Sequence, residues 1–215
     1  MNIETIDNFV PDAIAEGTLE NIYNMPYDWW FDSYRFGNSS PNNFRYNLSS
    51  QETKREYDSK IIASLRAGFF TYKFGRTTQH GKNCNCFLCS TVPHILTSNI
   101  VLSTIKKYYP EVENLTFSEY FISKYSSGDF LSCHSDKERG IAFVWNLTKN
   151  WKPEYGGNLS LIDPLFKGVT TIVPSFNTLT IFNLNEEIEH WVSEVSSAAP
   201  SERLAITGWF SKDAL

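Results

Sequence analysis

The sequence predicts a mainly β fold with flanking helices, built around a double-sheet jelly roll of cupin-like type. Two observations support this prediction. Residues before about position 116 show helical patterns, whereas from residue 117 onward short runs rich in β-branched and aromatic residues alternate with turn signals. Many short strands at such spacing are typical of a double-stranded β-helix, or jelly roll.

Three segments of the first part have helical patterns: residues 11–25, 49–70 and 97–111. A capping box formed by Ser49 and Glu52 marks the start of the second segment, and Pro110 ends the third. The second segment is predicted to place four apolar side chains on one face: Tyr57, Ile61, Leu65 and Phe69.

The predicted strands of the second part are residues 117–125, 141–147, 158–163, 169–174, 178–184, 190–195 and 203–210. The chain shows no internal repeat and no linker, so we expect one domain over residues 1–215. Its parts are a helix-rich region, 1–116, packed outside a jelly-roll core, 117–215. A split into two domains near residue 95 is the alternative.

The composition is that of an ordinary globular chain, since 41% of the 215 residues are hydrophobic and 20% are charged. The formal net charge of −5 gives no positive field to attract phosphates, which disfavours nucleic acid as a partner. The N-terminus lacks a basic leader, and no segment is apolar enough for a membrane helix. We therefore expect a cytoplasmic protein without a membrane partner.

The stretch "FLSCHSDKERG" carries a candidate metal motif, in which His134 and Asp136 flank a serine. Side chains two apart in a strand share a face, so both can point into the barrel. The predicted strands that follow contain one histidine, His190, which could supply a third ligand. Two histidines and one carboxylate form the facial triad typical of non-haem Fe(II) sites. A polar turn at His134, with His190 packed beside Trp191, is the alternative interpretation.

Arg203 opens the last predicted strand. Period-two alternation places four residues on a single face: Arg203, Ala205, Thr207 and Trp209. An arginine inside an apolar barrel needs a counter-charge, because an unpaired buried cation is very costly. A dicarboxylate cosubstrate supplies one, since a guanidinium binds a carboxylate through two parallel hydrogen bonds.

The run from Tyr125 to Phe210 resembles the iron(II)/2-oxoglutarate dioxygenases, particularly their prolyl 4-hydroxylase-like branch, which includes the hypoxia-factor prolyl hydroxylases. The resemblance rests on an ordered set of motifs: "YSSGDFLSCHSD", "NLTKNWKPEYGGNLSL", "PSFNTLTIF", His190 and "RLAITGWF". It covers about the last ninety residues. Gly156 and Gly157 match the Gly-Gly of this family, and we interpret them as a tight turn.

The resemblance implies that His134, Asp136 and His190 are iron ligands and that Arg203 binds the distal carboxylate of 2-oxoglutarate. It also implies cosubstrate contacts for Tyr125 and Thr207, for which ordinary packing roles are the alternative. The implied reaction consumes molecular oxygen and hydroxylates an unactivated carbon of a prolyl residue, an amino acid, a peptide or a protein, with succinate and CO2 as coproducts. The competing function is a non-catalytic, cupin-like metal-binding or sensing module.

A second cluster of soft donors lies outside the resemblance, in "HGKNCNCFLC". His80, Cys84, Cys86 and Cys89 offer the four ligands that zinc takes tetrahedrally. Their spacing departs from common zinc patterns, so reduced thiols, a disulfide and an iron–sulfur cluster stay open as alternatives.

The stretch "YDWWFDSYRFG" and Arg76 offer aromatic and cationic groups of the kind that bind a peptide or an amino acid. The stronger interpretation of Trp29 and Trp30 is that they pack helices against a sheet.

Overall fold

The structure is a computed structural model that describes residues 3–45, 51–77, 86–110, 116–136, 139–163, 165, 167–184 and 188–211. Its helices are α1 (Asp12–Tyr23), α2 (Gln51–Arg66), α3 (Phe87–Leu96) and α4 (Asn99–Tyr108). Its strands are β1 (Ile3–Ile6), β2 (Trp30–Arg35), β3 (Asn42–Arg45), β4 (Tyr72–Thr77), β5 (Thr116–Tyr125), β6 (Phe130–His134), β7 (Ile141–Asn146), β8 (Leu159–Ile162), β9 (Val169–Ile172), β10 (Thr178–Asn183), β11 (Glu189–Val192) and β12 (Arg203–Ser211).

All strand pairs are antiparallel, and the strands follow one another in the order β1-β10-β7-β12-β5-β4-β6-β11-β8-β9, with β2 pairing to β4 and β3 to β2. The sheet curls at β4, which pairs with β5 and with β6 through only two residues each. A larger sheet thus faces the smaller sheet β6-β11-β8-β9 across a common interior. The predicted jelly-roll fold is confirmed.

Alternation along the strands separates two hydrophobic cores. In β7, Phe143 and Trp145 pack into the core under the helices, whereas Ala142 and Val144 face the interior between the sheets. All six residues of this strand are buried, as expected where both faces of a sheet are covered. The outer core receives helix residues such as Leu19 of α1, and the inner core lines the candidate site.

The first part of the chain contains more β structure than its sequence indicates. The helices α1 and α4 lie where predicted, but β1 to β4 were not predicted, and all four extend the larger sheet around the site. The helix α3 was also missed, because it is short and contains Pro93.

The predicted face of α2 is only partly correct. The helix ends at Arg66, so Phe69 lies beyond it, and the side chains of Leu65 and Phe69 are exposed. Ile61 is buried as expected. The capping box with Ser49 lies outside the described residues.

Within the described part of the chain, no single helix is long and apolar enough to cross a membrane. The pair α3 and α4 meets the criteria of length and composition together, with a bend of 42° at its break.

Candidate active site

The strand register brings three potential ligands together. His134 of β6 lies directly opposite His190 of β11, so the two imidazoles share a face and their ring centroids are 4.2 Å apart. Asp136 follows His134 by two residues and places Oδ1 3.7 Å from Nε2 of His134. One ligand atom from each residue lies within 4.8 Å of the others. The predicted convergence of these three side chains is therefore present.

The ring of His134 is held in one orientation. Its Nδ1 lies 3.0 Å from the carbonyl oxygen of Ser132, so Nδ1–H donates and Nε2 keeps its lone pair towards the cluster. Phe70 stacks on the other side of the ring at 4.4 Å. Burial lowers the pKa of His134 and lowers that of His190 to about 4, where the neighbouring His134 adds to the effect. Both imidazoles are thus neutral near pH 7, as metal binding requires.

The donor set fits a ferrous ion. Two neutral imidazoles and one carboxylate are the ligands of the facial triad, which leaves coordination positions open. Nδ1 of His190 is buried without a hydrogen-bond partner among the described residues, and the ring lies against Phe182. Two buried, neutral imidazoles beside a carboxylate therefore favour the interpretation as a metal site over the interpretation as a polar turn.

Arg203 lies at the inner end of the same pocket. Its side chain is 2% exposed, its Nε has no hydrogen-bond partner, and no described carboxylate forms an ion pair with it. The nearby acid Glu202 is instead engaged by Lys124 and by the hydroxyl of Ser126. Burial lowers the pKa of Arg203, and Tyr125 opposes that shift. A fully buried guanidinium without a counter-charge is the arrangement expected for an anion-binding residue.

The face predicted for the last strand is also present. Arg203 pairs with Tyr125 of β5, whose ring centroid is 4.9 Å from Cζ of Arg203, and burial raises the pKa of this phenol. Thr207 and Trp209 line the cavity further along β12. The cavity of about 250 Å³ thus contains all six residues that the resemblance implies: His134, Asp136, His190, Arg203, Tyr125 and Thr207.

The Gly-Gly turn packs against the side chain of Arg203. Gly156 and Gly157 have φ values of +70° and +63°, as the predicted tight turn requires. A Cβ on Gly157 would lie 3.0 Å from Cδ of Arg203, so the missing side chain makes room for the arginine stem. A Cβ on Gly156 would lie 1.9 Å from the carbonyl oxygen of Glu194.

We expect Gly156→Ala to lower the free energy of unfolding by about 2–4 kcal/mol, because the new methyl group would clash with backbone in a conformation that L residues avoid. Gly17→Ala in the middle of α1 is the matched control, since nothing lies within 4 Å of its Cβ position. That control should gain about 0.5–1 kcal/mol. Urea denaturation of both variants measures the difference, and equal stabilities would contradict the close packing at Gly156.

The buried carboxyl group of Asp129 should make the free energy of unfolding depend on pH. Asp129 is 7% exposed, and burial raises its pKa to about 7, although its side chain accepts a hydrogen bond from the amide of Ser126. Because the folded-state pKa lies above the unfolded one, the protein should lose stability as pH rises from about 4 through 7.

We expect Asp129→Asn to remove this loss while keeping the acceptor for Ser126. The variant should be about 2–4 kcal/mol more stable than the wild type at pH 8 and close to it at pH 4. Denaturation curves at both pH values test this, and a constant difference across pH would contradict it.

Arg35, from the stretch "YDWWFDSYRFG", and Arg76 both line the cavity, as the interpretation of these groups as substrate-binding candidates would require. Phe70 and Arg139 also line the cavity but were not singled out from sequence. Arg139 forms an ion pair with Glu119 at 2.6 Å and stacks over Trp209. Arg139 lies three residues after Asp136, and this closeness to the ligand motif is the sequence signal that could have identified it.

The soft-donor cluster is only partly described. His80 and Cys84 lie outside the described residues, whereas Cys86 caps the start of α3 and accepts a hydrogen bond from the amide of Cys89. Neither Cys86 nor Cys89 lines the active-site cavity.

Fold and site together define a double-stranded β-helix with a His-Asp-His cluster that could hold a metal ion. Residues 120–211 match the model of the 2OG-Fe(II) oxygenase superfamily. Prolyl 3-hydroxylase OGFOD1 of Mus musculus is 39% identical over 95 residues, and its Xenopus laevis counterpart is 35% identical over 95. These matches cover 41% of this chain but only 17% and 18% of the relatives, so the chain spans less than a fifth of their length.

Solved structures share the fold over nearly the whole chain. A prolyl-4-hydroxylase of Pseudomonas putida has a TM-score of 0.61 and 16% identity, with 99% of this chain and 93% of that chain covered. A prolyl hydroxylase of Trichoplax adhaerens, in complex with a hypoxia inducible factor peptide, has a TM-score of 0.61 and 18% identity over 98% and 83% of the two chains. The resemblance to the prolyl 4-hydroxylase-like branch is confirmed.

Proposed function

We propose that this chain is an Fe(II)- and 2-oxoglutarate-dependent dioxygenase that hydroxylates a prolyl residue of a peptide or protein. The observation that carries the proposal is the fully buried Arg203, which has no carboxylate partner among the described residues, in one pocket with a His-Asp-His cluster. The family match of residues 120–211 supports it. Nothing in the structure or the comparisons supports a non-catalytic cupin-like module.

In this proposal the residues have separate tasks. His134, Asp136 and His190 hold Fe(II), and Arg203 binds the distal carboxylate of 2-oxoglutarate, with Tyr125 and Thr207 beside it. Iron and cosubstrate together supply the oxidising chemistry that inserts an oxygen atom into a C–H bond and leaves succinate and CO2. Phe74 and Phe121 line the same cavity, and their apolar rings would help to keep water away from the reacting atoms.

The direct test is succinate formation by purified protein given Fe(II), 2-oxoglutarate, oxygen and prolyl peptides. We expect one succinate for each hydroxylated residue found by mass spectrometry. Absence of cosubstrate turnover with every peptide, in protein that contains iron, would contradict the proposal.

We also propose that residues 1–215 form a single dioxygenase domain, because the strands of both parts join one sheet. A cytoplasmic location and the absence of membrane or nucleic-acid partners stay predictions.

Zinc at His80, Cys84, Cys86 and Cys89 stays a prediction as well. We expect elemental analysis to find zinc in the isolated protein and to find it lost in Cys84→Ser and Cys89→Ser. Thiols that all titrate freely in zinc-free protein would contradict this.

A further inference from the structure

The active-site cavity has a charge that contrasts with the acidic chain around it. Although the protein has a formal net charge of −5, the charged residues of the cavity wall are four arginines and one carboxylate: Arg35, Arg76, Arg139, Arg203 and Asp136. Arg139 is neutralised by Glu119. In the proposed complex with Fe(II) and 2-oxoglutarate, the two positive charges of the ion and the one of Arg203 balance the single negative charge of Asp136 and the two of 2-oxoglutarate. Two positive charges, Arg35 and Arg76, therefore remain without an ion-pair partner among the described residues.

Neither of these two arginines has an ion pair with another described residue. Nε of Arg35 is buried without a hydrogen-bond partner, and its guanidinium Cζ lies 4.9 Å from the ring of Phe70, which in turn stacks on His134. The guanidinium of Arg76 lies 4.2 Å from the ring of Phe121. Aromatic rings thus hold both cations in place while their donors stay available to a ligand.

The strand register fixes the distance between the two arginines. Arg35 lies opposite Tyr72 and Arg76 lies opposite Phe31 in the β2–β4 ladder. Their backbone positions are therefore four residues apart along one face of the sheet, or about 13 Å in the strand direction. Tyr72 and Phe74 separate them and line the cavity between them.

We propose that Arg35 and Arg76 bind carboxylates of an acidic peptide substrate, one on each side of the residue to be hydroxylated. This inference rests on the proposed dioxygenase function. An extended peptide also advances about 3.3 Å per residue, so a span of about 13 Å corresponds to acidic residues roughly two positions before and two after the target. Guanidinium groups bind carboxylates with two parallel hydrogen bonds, which gives orientation as well as affinity.

A polynucleotide fits the same cations less well. Backbone binding to nucleic acid uses a row of many phosphate contacts, whereas this cavity offers two free cations separated by aromatic walls. The apolar surface between the arginines is suited to a prolyl ring instead.

The test uses three nine-residue peptides with blocked ends and a central proline. The peptides differ at two positions, the second residue before the proline and the second after it, where one peptide carries glutamate, one glutamine and one lysine. Their binding to the Fe(II) and 2-oxoglutarate complex is measured without oxygen, and hydroxylation is measured with it. We expect the glutamate peptide to bind at least about ten-fold more tightly than the glutamine peptide, with a preference that falls as salt rises.

The variants Arg35→Ala and Arg76→Ala should each reduce this preference from about ten-fold to about three-fold, because each removes one of two contacts, and should keep the 2-oxoglutarate affinity of the wild type. Arg76→Glu should shift the preference towards the lysine peptide, an effect that a purely structural role would not produce. Lys73→Ala is the matched control, because Lys73 is on the same strand but bonds to Asp58 at 3.1 Å, away from the cavity. It should retain the preference.

The outcomes separate this inference from the proposed function. Equal affinities of the three peptides, no binding of the glutamate peptide, or tighter binding of a single-stranded oligonucleotide would overturn the acidic-peptide assignment while 2-oxoglutarate turnover stood. A loss of 2-oxoglutarate affinity in Arg76→Ala would assign that arginine to the cosubstrate and also overturn it. Failure of the wild type to bind 2-oxoglutarate at all would overturn the proposed function itself.

Discussion

His134→Ala is expected to abolish both iron binding and succinate formation while the protein stays folded. His134 provides one of three ligands, and its Nδ1 already donates to Ser132, so Nε2 is the atom that would face the metal. Removal leaves one imidazole and one carboxylate, too few for a facial triad. Iron content by elemental analysis, circular dichroism and the succinate assay together measure this result.

His94→Ala is the matched control for this experiment. His94 is exposed in the last turn of α3, outside the cavity, so its loss should leave iron content and turnover unchanged. Wild-type activity in His134→Ala would mean that the cluster is not the iron site. Loss of the folded circular dichroism spectrum would instead call for His134→Gln, which keeps the size of the side chain.

Arg203→Ala is expected to reduce the affinity for 2-oxoglutarate by between about thirty-fold and several thousand-fold. The reason is that truncating one partner of a buried, hydrogen-bonded charge pair typically costs about 2–5 kcal/mol, and each 1.4 kcal/mol is a factor of ten. Iron binding should survive, because Arg203 is not among the clustered ligands. Titration of 2-oxoglutarate into the Fe(II) forms without oxygen measures the change.

Arg203→Lys should fall between the wild type and the alanine variant, because lysine keeps the charge but loses the planar pair of donors. The competing structural interpretation, an ion pair of Arg203 with Glu202 or Glu194, predicts no change in cosubstrate affinity. Glu202 is already bound to Lys124 and Ser126, and Glu194 forms no described ion pair with Arg203. Equal affinities of all three proteins would contradict the assignment of Arg203.

The sequence predicted the core of the fold better than its surroundings. The strands β5 and β7 to β12 lie close to where the sequence indicated, because short runs rich in β-branched and aromatic residues between turn signals are typical of strands. The strands β2 and β4 carry charged residues within "WFDSYR" and "YKFGRT", and their stability comes from pairing with distant strands rather than from local pattern. Local reasoning could not detect them.

The same limit applies to the site. The two-residue spacing of His134 and Asp136 was visible, but a separation of 56 positions between His134 and His190 conceals that they lie opposite each other in neighbouring strands. The resemblance to a family supplied that link. Arg35 reaches the cavity only because β2 pairs with β4, so its place could not be derived from its neighbours in sequence.

The most direct test of the whole account is calorimetric titration of 2-oxoglutarate, without oxygen, into the wild-type protein with and without Fe(II). The account predicts one bound equivalent in the Fe(II) form and much weaker binding in the metal-free form, because the cosubstrate would contact both the His134, Asp136 and His190 centre and Arg203. Binding that is absent, or that is the same with and without Fe(II), would contradict the claim that this pocket is a shared site for the metal and the cosubstrate.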